Sequence, residues 1–404
     1  MNSGLMKPLI LLGAMLVVGP AVLAQSITLT GQVVDNTQRP IPYASVGVKG
    51  SQQGTATNEA GEFSLRVSAL PQQLEVLSIG YAPTTVQVSS AATPVTIVLS
   101  ANAVALPEVR VRNPEQEAKE LVQRASAKLL RHEKQAYYGK AFYRQKTRHN
   151  GTYCEFFDAF YDVKFDNRHI SGWDLGESRY AVRPGGFTFT NFSAIIRVVL
   201  PTFIKNPRRA KLLTPLGSQA LQQFDFTLKE IQTSQGRELA VIHFQPKMET
   251  TKTAPSGLLY IDRQTAALHR REMTFSASSL LSLNGLPDTH IESDAFRVVS
   301  DYTPVADSLT RLASTRAQCR LVTQQADGKI DSTHIASTFF FYQYTPRLAG
   351  HAYADVPRKS KDLQQVMARS YNPAFWLDNA VVKNSPLDEQ LIRDLEGQHV
   401  FRPM

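Results

Sequence analysis

The chain has 404 residues, 43% of them hydrophobic and 20% charged, with only two cysteines. That length suits two or three domains with sizeable cores, and the composition excludes a disordered, collagenous or disulfide-stapled chain. The formal charge of +9 is uneven: Lys7 stands alone at the start, and from Gln25 to Arg112 five bases (Arg39, Lys49, Arg66, Arg110, Arg112) offset five acids (Asp35, Glu59, Glu62, Glu75, Glu108). The excess therefore lies from Asn113 onward. An ordinary basic surface accounts for it, and so does attraction to anionic lipid, lipopolysaccharide or polysaccharide.

In chain order, residues 1–24 read as a signal peptide. Lys7 precedes an apolar run from Leu9 to Val18, and Val22 and Ala24 fit a cleavage site before Gln25. The run is short for a membrane span, and no cysteine follows the cleavage site to carry a lipid. With export expected, nucleic acid is excluded as a partner, and no aromatic-interleaved basic motif argues otherwise.

Residues 25–100 alternate with period two between turn clusters, the pattern of a small β-sandwich. Strands are expected at Thr28–Asp35, Pro40–Val48, Gly54–Leu65, Leu77–Tyr81 and Val95–Leu99. The runs Gly31-Gln32-Val33-Val34-Asp35, Pro42-Tyr43-Ala44-Ser45-Val46, Gly54 to Phe63 and Ser78-Ile79-Gly80-Tyr81 resemble the carboxypeptidase-regulatory-like (transthyretin-like) domain of exported Bacteroidetes proteins. The resemblance covers about a fifth of the chain and implies the sandwich fold. It implies no catalysis, because such domains accompany peptidases, transporters and receptors.

Residues 101–136 read as a linker and a helix. Leu106-Pro107-Glu108-Val109-Arg110-Val111 resembles the link that follows this domain in outer-membrane receptors. Pro114 then opens a helix with Glu115, Glu117 and Glu120 early and Lys128, Arg131 and Lys134 late, matching the helix dipole. Its apolar positions are Leu121, Val122, Ala125, Leu129 and Leu130.

From residue 137 to 404 the reading is an antiparallel, half-barrel-like β domain with a few helices. Tyr138–Lys146 and Thr152–Phe165 flank Asn150-Gly151, a hairpin signal. Further strand pairs fall at Asp225–Gln232 with Glu238–Gln245, at Gly257–Asp262 with Ala267–Ser276, and around Asp327-Gly328. Helices are expected over Asn191–Lys205 and Asp388–Glu396, and Pro373–Asp378 reads as a hydrophobic plug on the sheet. Tyr138–Arg144 with Glu155–Tyr161 resembles the core of exported Bacteroidetes proteins of unknown function. Gly257–Thr265 resembles a hairpin of half-barrel periplasmic lipoprotein carriers. Larger proteins of this kind continue into an outer-membrane barrel, which is not expected here after the last short helix.

No residue is nominated for catalysis, cofactor binding or metal ligation. His269-Arg270-Arg271-Glu272 spells half of a zinc carboxypeptidase site, but on a strand residues three apart face opposite sides. His399, the late histidine at a suitable distance, leaves almost no chain for a base. His290, Glu292 and Asp294 would share one strand face, where a divalent cation competes with a solvent-facing polar edge. Cys154 and Cys319 are open to a disulfide or to two buried thiols. No nucleophile elbow, phosphate loop or dinucleotide fingerprint is present. The aromatics of Phe142–Tyr161 and Phe339–Tyr342 suit a core or a greasy concavity. The expectation is an exported, non-catalytic binding or accessory module of the periplasm or outer membrane, with no cofactor. Its partner would be an envelope protein or a hydrophobic ligand, and peripheral membrane association stays open. A carrier of a hydrophobic ligand or lipidated partner is the alternative; a metal-dependent hydrolase comes last.

Overall fold

The computed structural model describes residues 26–102, 113–184, 202–204, 206, 210, 212–234, 236–247, 252–276, 291–305, 309–324, 327–348, 353, 362–379 and 381–402. The chain is mainly β, a sandwich followed by a large open antiparallel sheet.

Seven strands build the sandwich: β1 (Ile27–Asp35), β2 (Ser45–Val48), β3 (Gly54–Ala56), β4 (Glu62–Val67), β5 (Gln72–Leu77), β6 (Thr84–Val88) and β7 (Val95–Leu99). One sheet has the order β4-β1-β7 and the other β3-β2-β5-β6. Their inward residues, among them Leu29, Val33, Val46, Phe63, Leu65, Leu74, Val76 and Ile97, form one core. Gly31 is required there, since a Cβ would stand 2.6 Å from the Phe63 ring and 2.3 Å from the Val95 carbonyl.

Three strand expectations need correction. Pro40–Val48 is strand only from Ser45, because prolines at 40 and 42 donate no hydrogen bond and Tyr43 takes a left-handed φ of 60°. Gly54–Leu65 is two strands, broken where Asn58 Oδ1 accepts the N–H groups of Ala60 and Glu62 and closes a turn. Leu77 ends β5, and Ser78–Tyr81 turns over Gly80 at φ 92°. The half-exposed β6, Thr84-Thr85-Val86-Gln87-Val88, was not anticipated.

Helix α1 (Pro114–Arg131) starts as the sequence indicates: Asn113 Oδ1 accepts the Gln116 N–H at 3.0 Å, and proline occupies the first turn. The strands β8 (Ala136–His149), β9 (Thr152–Asp166) and β10 (His169–Val182) follow. Asn150 and Gly151 both have positive φ, as their hairpin turn demands.

The short helix α2 (Ala220–Gln223) then leads to a meander of β11 (Phe224–Ser234), β12 (Arg237–Pro246), β13 (Ser256–Asp262), β14 (Leu268–Phe275), β15 (Ile291–Val305), β16 (Leu309–Gln324) and β17 (Ile330–Thr345). The meander joins the first three strands where β17 pairs with β8, giving the order β11 through β17, then β8-β9-β10, with the two-residue β18 (Phe401–Arg402) at the edge. Helices α3 (Asp362–Met367), α4 (Pro373–Asp378) and α5 (Pro386–Gly397) belong to the C-terminal segment. The Leu106–Val111 link lies outside the described residues. So does most of the helix expected over Asn191–Lys205, although Ile204 forms a parallel bridge with Gly217 and is not helical.

Period two gives this sheet two different faces. One carries α1, whose Ala118, Leu121, Val122, Ala125 and Leu129 pack against Phe224, Phe226, Phe244, Leu259 and Ile261. Arg124 and Lys128 pin the helix by donating to the carbonyls of Arg263, Gln264 and Thr265 in the β13–β14 turn. The other face receives the sandwich and the C-terminal segment.

Candidate functional site

The face opposite α1 is built from alternate residues of neighbouring strands: Phe142, Arg144 and Lys146 on β8, Arg270 and Glu272 on β14, Arg297 and Val299 on β15, Arg316 and Gln318 on β16, and Thr338 and Phe340 on β17. Together with Tyr43, Glu59, Val382, Lys383 and Asp388 they line a cavity of about 300 Å³ at the junction of the two domains. The volume lies at the lower end of the ~300–1,000 Å³ usual for ligand pockets.

The sandwich is docked there by named contacts. Thr55 Oγ1 donates to the Val381 carbonyl at 3.0 Å, Asn58 Nδ2 donates to the Lys383 carbonyl at 3.3 Å, and Gln53 forms a bridge with Gln343. The Asn58 turn presents Glu59, which accepts from Lys146 Nζ at 3.1 Å. Tyr43, whose left-handed φ is unusual for an aromatic residue, lays its ring 4.7 Å from the Arg316 guanidinium. Burial, reinforced by Glu59, pushes the Tyr43 phenol up to about 12, so it is neutral.

One end of the wall is a closed ionic network. Asp158, fully buried, accepts two hydrogen bonds from Arg144 at 2.8 and 2.9 Å and two from Arg179 at 2.7 and 2.9 Å. Arg144 Nη1 also reaches Asp388 at 2.8 Å, while Lys146 Nζ holds the other Asp388 oxygen at 2.9 Å. Asp388 completes a capping box with Ser385 and so fixes the start of α5. Burial alone would raise the Asp388 pKa, but the Arg144 and Lys146 charges outweigh it and hold the group well below its ordinary value. Beside this network, Phe375 and Trp376 each lie 5.6 Å from the Phe160 ring, and Trp376 covers Arg179 at 4.2 Å. The Pro373–Asp378 segment therefore does pack on the sheet.

The other end is sparser. Asp301 accepts from Arg270 Nε at 2.6 Å and from Arg316 Nη2 at 3.0 Å, and Glu272 accepts from Arg297 Nη2 at 2.9 Å. Burial lowers the Arg316 pKa further than Asp301 restores it.

The residues singled out in the sequence lie elsewhere or apart. Glu272 lines the cavity, whereas His269 is buried on the α1 side, next to Asp262 and Lys128, and burial lowers it to about 4. His399 is exposed beyond α5. His290 and the side chains of Glu292 and Asp294 lie outside the described residues. Among the described residues no group of three or more His, Cys, Asp or Glu side chains could hold a metal ion. Cys154 and Cys319 are buried, lie three strands apart and are not joined in a disulfide, so the disulfide alternative is ruled out. The aromatics divide: Tyr143, Phe157 and Tyr161 join the α1 core, while Phe142, Phe160 and Phe340 face the cavity side. Sequence reading missed the arginines of β14, β15 and β16. Their signal was polar and charged residues at alternate positions of β14 and β16, which becomes a site only when the strand order is known.

A family model for the CarboxypepD_reg-like domain matches residues 29–111. The sandwich is thus similar to that domain, in agreement with the resemblance noted from its turns. No curated protein matches the chain. Among solved structures, a DUF1329 family protein from Desulfovibrio piger is 10% identical, with 60% of this chain and 98% of that one covered and a TM-score of 0.24. A LolA superfamily protein from Nitrosomonas europaea is 8% identical, with 59% and 99% covered and a TM-score of 0.17. Among the described residues no helix is long and apolar enough to cross a membrane.

Proposed function

We propose that the protein is a non-catalytic binding module exported to the cell envelope and that the junction cavity is its ligand site. The observation that carries this reading is the cavity itself. Sandwich, sheet and C-terminal segment each contribute to one concavity with an apolar floor (Phe142, Val299, Phe340, Val382) and an arginine wall. The Lys7-led apolar leader supports export. A thermal-shift panel of anionic and neutral small molecules on the full chain tests the reading. Stabilisation by at least one compound is expected, and Ala336→Trp, which fills the cavity, removes it. A panel without effect, or an effect that survives Ala336→Trp, overturns it.

A further inference from the structure

The charge inventory of the cavity, read with the proposed binding role on which it rests, specifies the ligand. Arg144, Arg179 and Lys146 are matched by Asp158, Asp388 and Glu59. Arg270, Arg297 and Arg316 share only Asp301 and Glu272. Lys383 forms no ion pair among the described residues. Among the described residues, two positive charges are left without a carboxylate.

Arg316 is the least compensated. Its side chain is only 18% exposed, Tyr43 covers its guanidinium, and its one carboxylate is shared with Arg270. Its remaining N–H groups meet no acceptor among the described residues. A half-buried guanidinium fork in that state is built for a second oxyanion. Arg297, 60% exposed at the rim, and Lys383 from the C-terminal segment border the same space. The apolar floor adjoins this wall, and the volume admits only a compact body.

We propose that the cavity takes a small organic dianion, with its oxyanion head on Arg297, Arg316 and Lys383 and its apolar body on Phe142, Phe340 and Val382. Phosphate monoesters and dicarboxylates share this chemistry, and neither a long acyl chain nor a bare inorganic anion satisfies both halves of the cavity.

Isothermal titration of the full chain at pH 7.5 tests this with phenyl phosphate and phthalate as probes. Inorganic phosphate serves as the head alone, benzyl alcohol as the body alone, and octyl glucoside below its micelle concentration as a neutral amphiphile. One dianion probe is expected to bind at a single site, at least tenfold tighter than head or body alone, and more weakly as salt rises. Whichever dianion binds tighter identifies the head as phosphate or dicarboxylate. Arg297→Ala and Lys383→Ala are expected to weaken it roughly tenfold each, as loss of a charged hydrogen bond does. Both are rim substitutions outside the closed ionic network, so folding is preserved; Arg316→Lys adds a variant that keeps the charge and loses the fork. Absence of saturable binding by either dianion, or binding unmoved by Arg297→Ala and Lys383→Ala, overturns the proposal. If octyl glucoside alone binds and Ala336→Trp abolishes it, the dianion is wrong while the cavity remains the ligand site. If nothing binds, both fall.

Discussion

The two faces of the large sheet are made by the same strands and solve opposite problems. On the α1 side, Phe224, Phe226, Phe244, Leu259 and Ile261 meet the helix stripe and leave little space. That packing supplies stability, about 1.5–3 kcal/mol for each fully buried large side chain before the entropy of ordering is charged. On the other side, one residue further along each strand, arginines, lysines and carboxylates stand beside phenylalanines under the sandwich and the C-terminal segment. Buried ion pairs are weak evidence for stability, because desolvation offsets much of their attraction. A wall that buries Arg144, Lys146, Asp158 and Asp388 and still leaves Arg316 undercompensated is better understood as a binding surface than as a second core.

Breaking the polar face at its centre is the severest test of that contrast. Asp158→Ala strips both Arg144 and Arg179 of their shared carboxylate inside the protein. The expected loss is about 3–5 kcal/mol in urea denaturation, the usual cost of stranding a buried charge. A loss under 1 kcal/mol would mean that water reaches this network. On the α1 face the corresponding weak point is His269, whose Nε2 has no hydrogen-bond partner among the described residues. Because burial holds its folded pKa near 4, below the unfolded 6.5, its stabilising contribution is complete above pH 6.5 and declines as the pH falls toward 4. The expected decline is on the order of 2–3 kcal/mol by pH 4. His269→Phe should remove that part of the pH dependence, and an unchanged acid profile would refute the assignment.

Asp388 sharpens the comparison, since it ties the C-terminal segment to the polar face. Its folded pKa is depressed, so its contribution is full above the ordinary 3.8 and is lost as the pH falls through the lower folded value. Asp388→Asn should cost about 1–3 kcal/mol at neutral pH by weakening charged hydrogen bonds to Arg144 and Lys146. Trp376 fluorescence in a Trp173→Phe background reports it: the variant should show at pH 7 the emission that the parent reaches only in acid. Identical emission of the two proteins at pH 7 would show that the segment is held by its aromatics alone.

What was legible in the sequence was local. Asn150-Gly151 and Asp327-Gly328 announced hairpins because turn geometry is written in two residues, and Pro114 with its following acids announced α1. The C-terminal helix was anticipated two residues late, since Ser385-Pro386 is its cap and first turn. The site was not legible. It depends on β17 pairing with β8 and on β14, β15 and β16 lying side by side, a long-range order with no local signature. Arg270 was passed over as the interior of a metal motif, Glu272 was weighed only as that motif's ligand, and the alternation Phe142, Arg144, Lys146 was read for its aromatics. Tyr43 gave no warning of its left-handed backbone, and its contact with Arg316 joins residues far apart in the chain.

The smallest expected effect compares the caps of the two helices that sit on opposite faces. Asn113 and Ser385 both accept a backbone N–H and both precede a proline, so either alanine substitution should cost about 1 kcal/mol. The consequences should nonetheless differ. Helix α1 is held along its length by apolar packing and by Arg124 and Lys128, so Asn113→Ala should lower the urea midpoint and leave ligand binding unchanged. Ser385 orients Asp388 through the reciprocal cap bonds at 3.0 and 3.2 Å, and Asp388 in turn sets Arg144 and Lys146 at the cavity wall. Ser385→Ala should therefore lower stability by a similar amount and also weaken any ligand of the cavity a few-fold. Equal binding by the two variants would show that the C-terminal segment covers the polar face without shaping it.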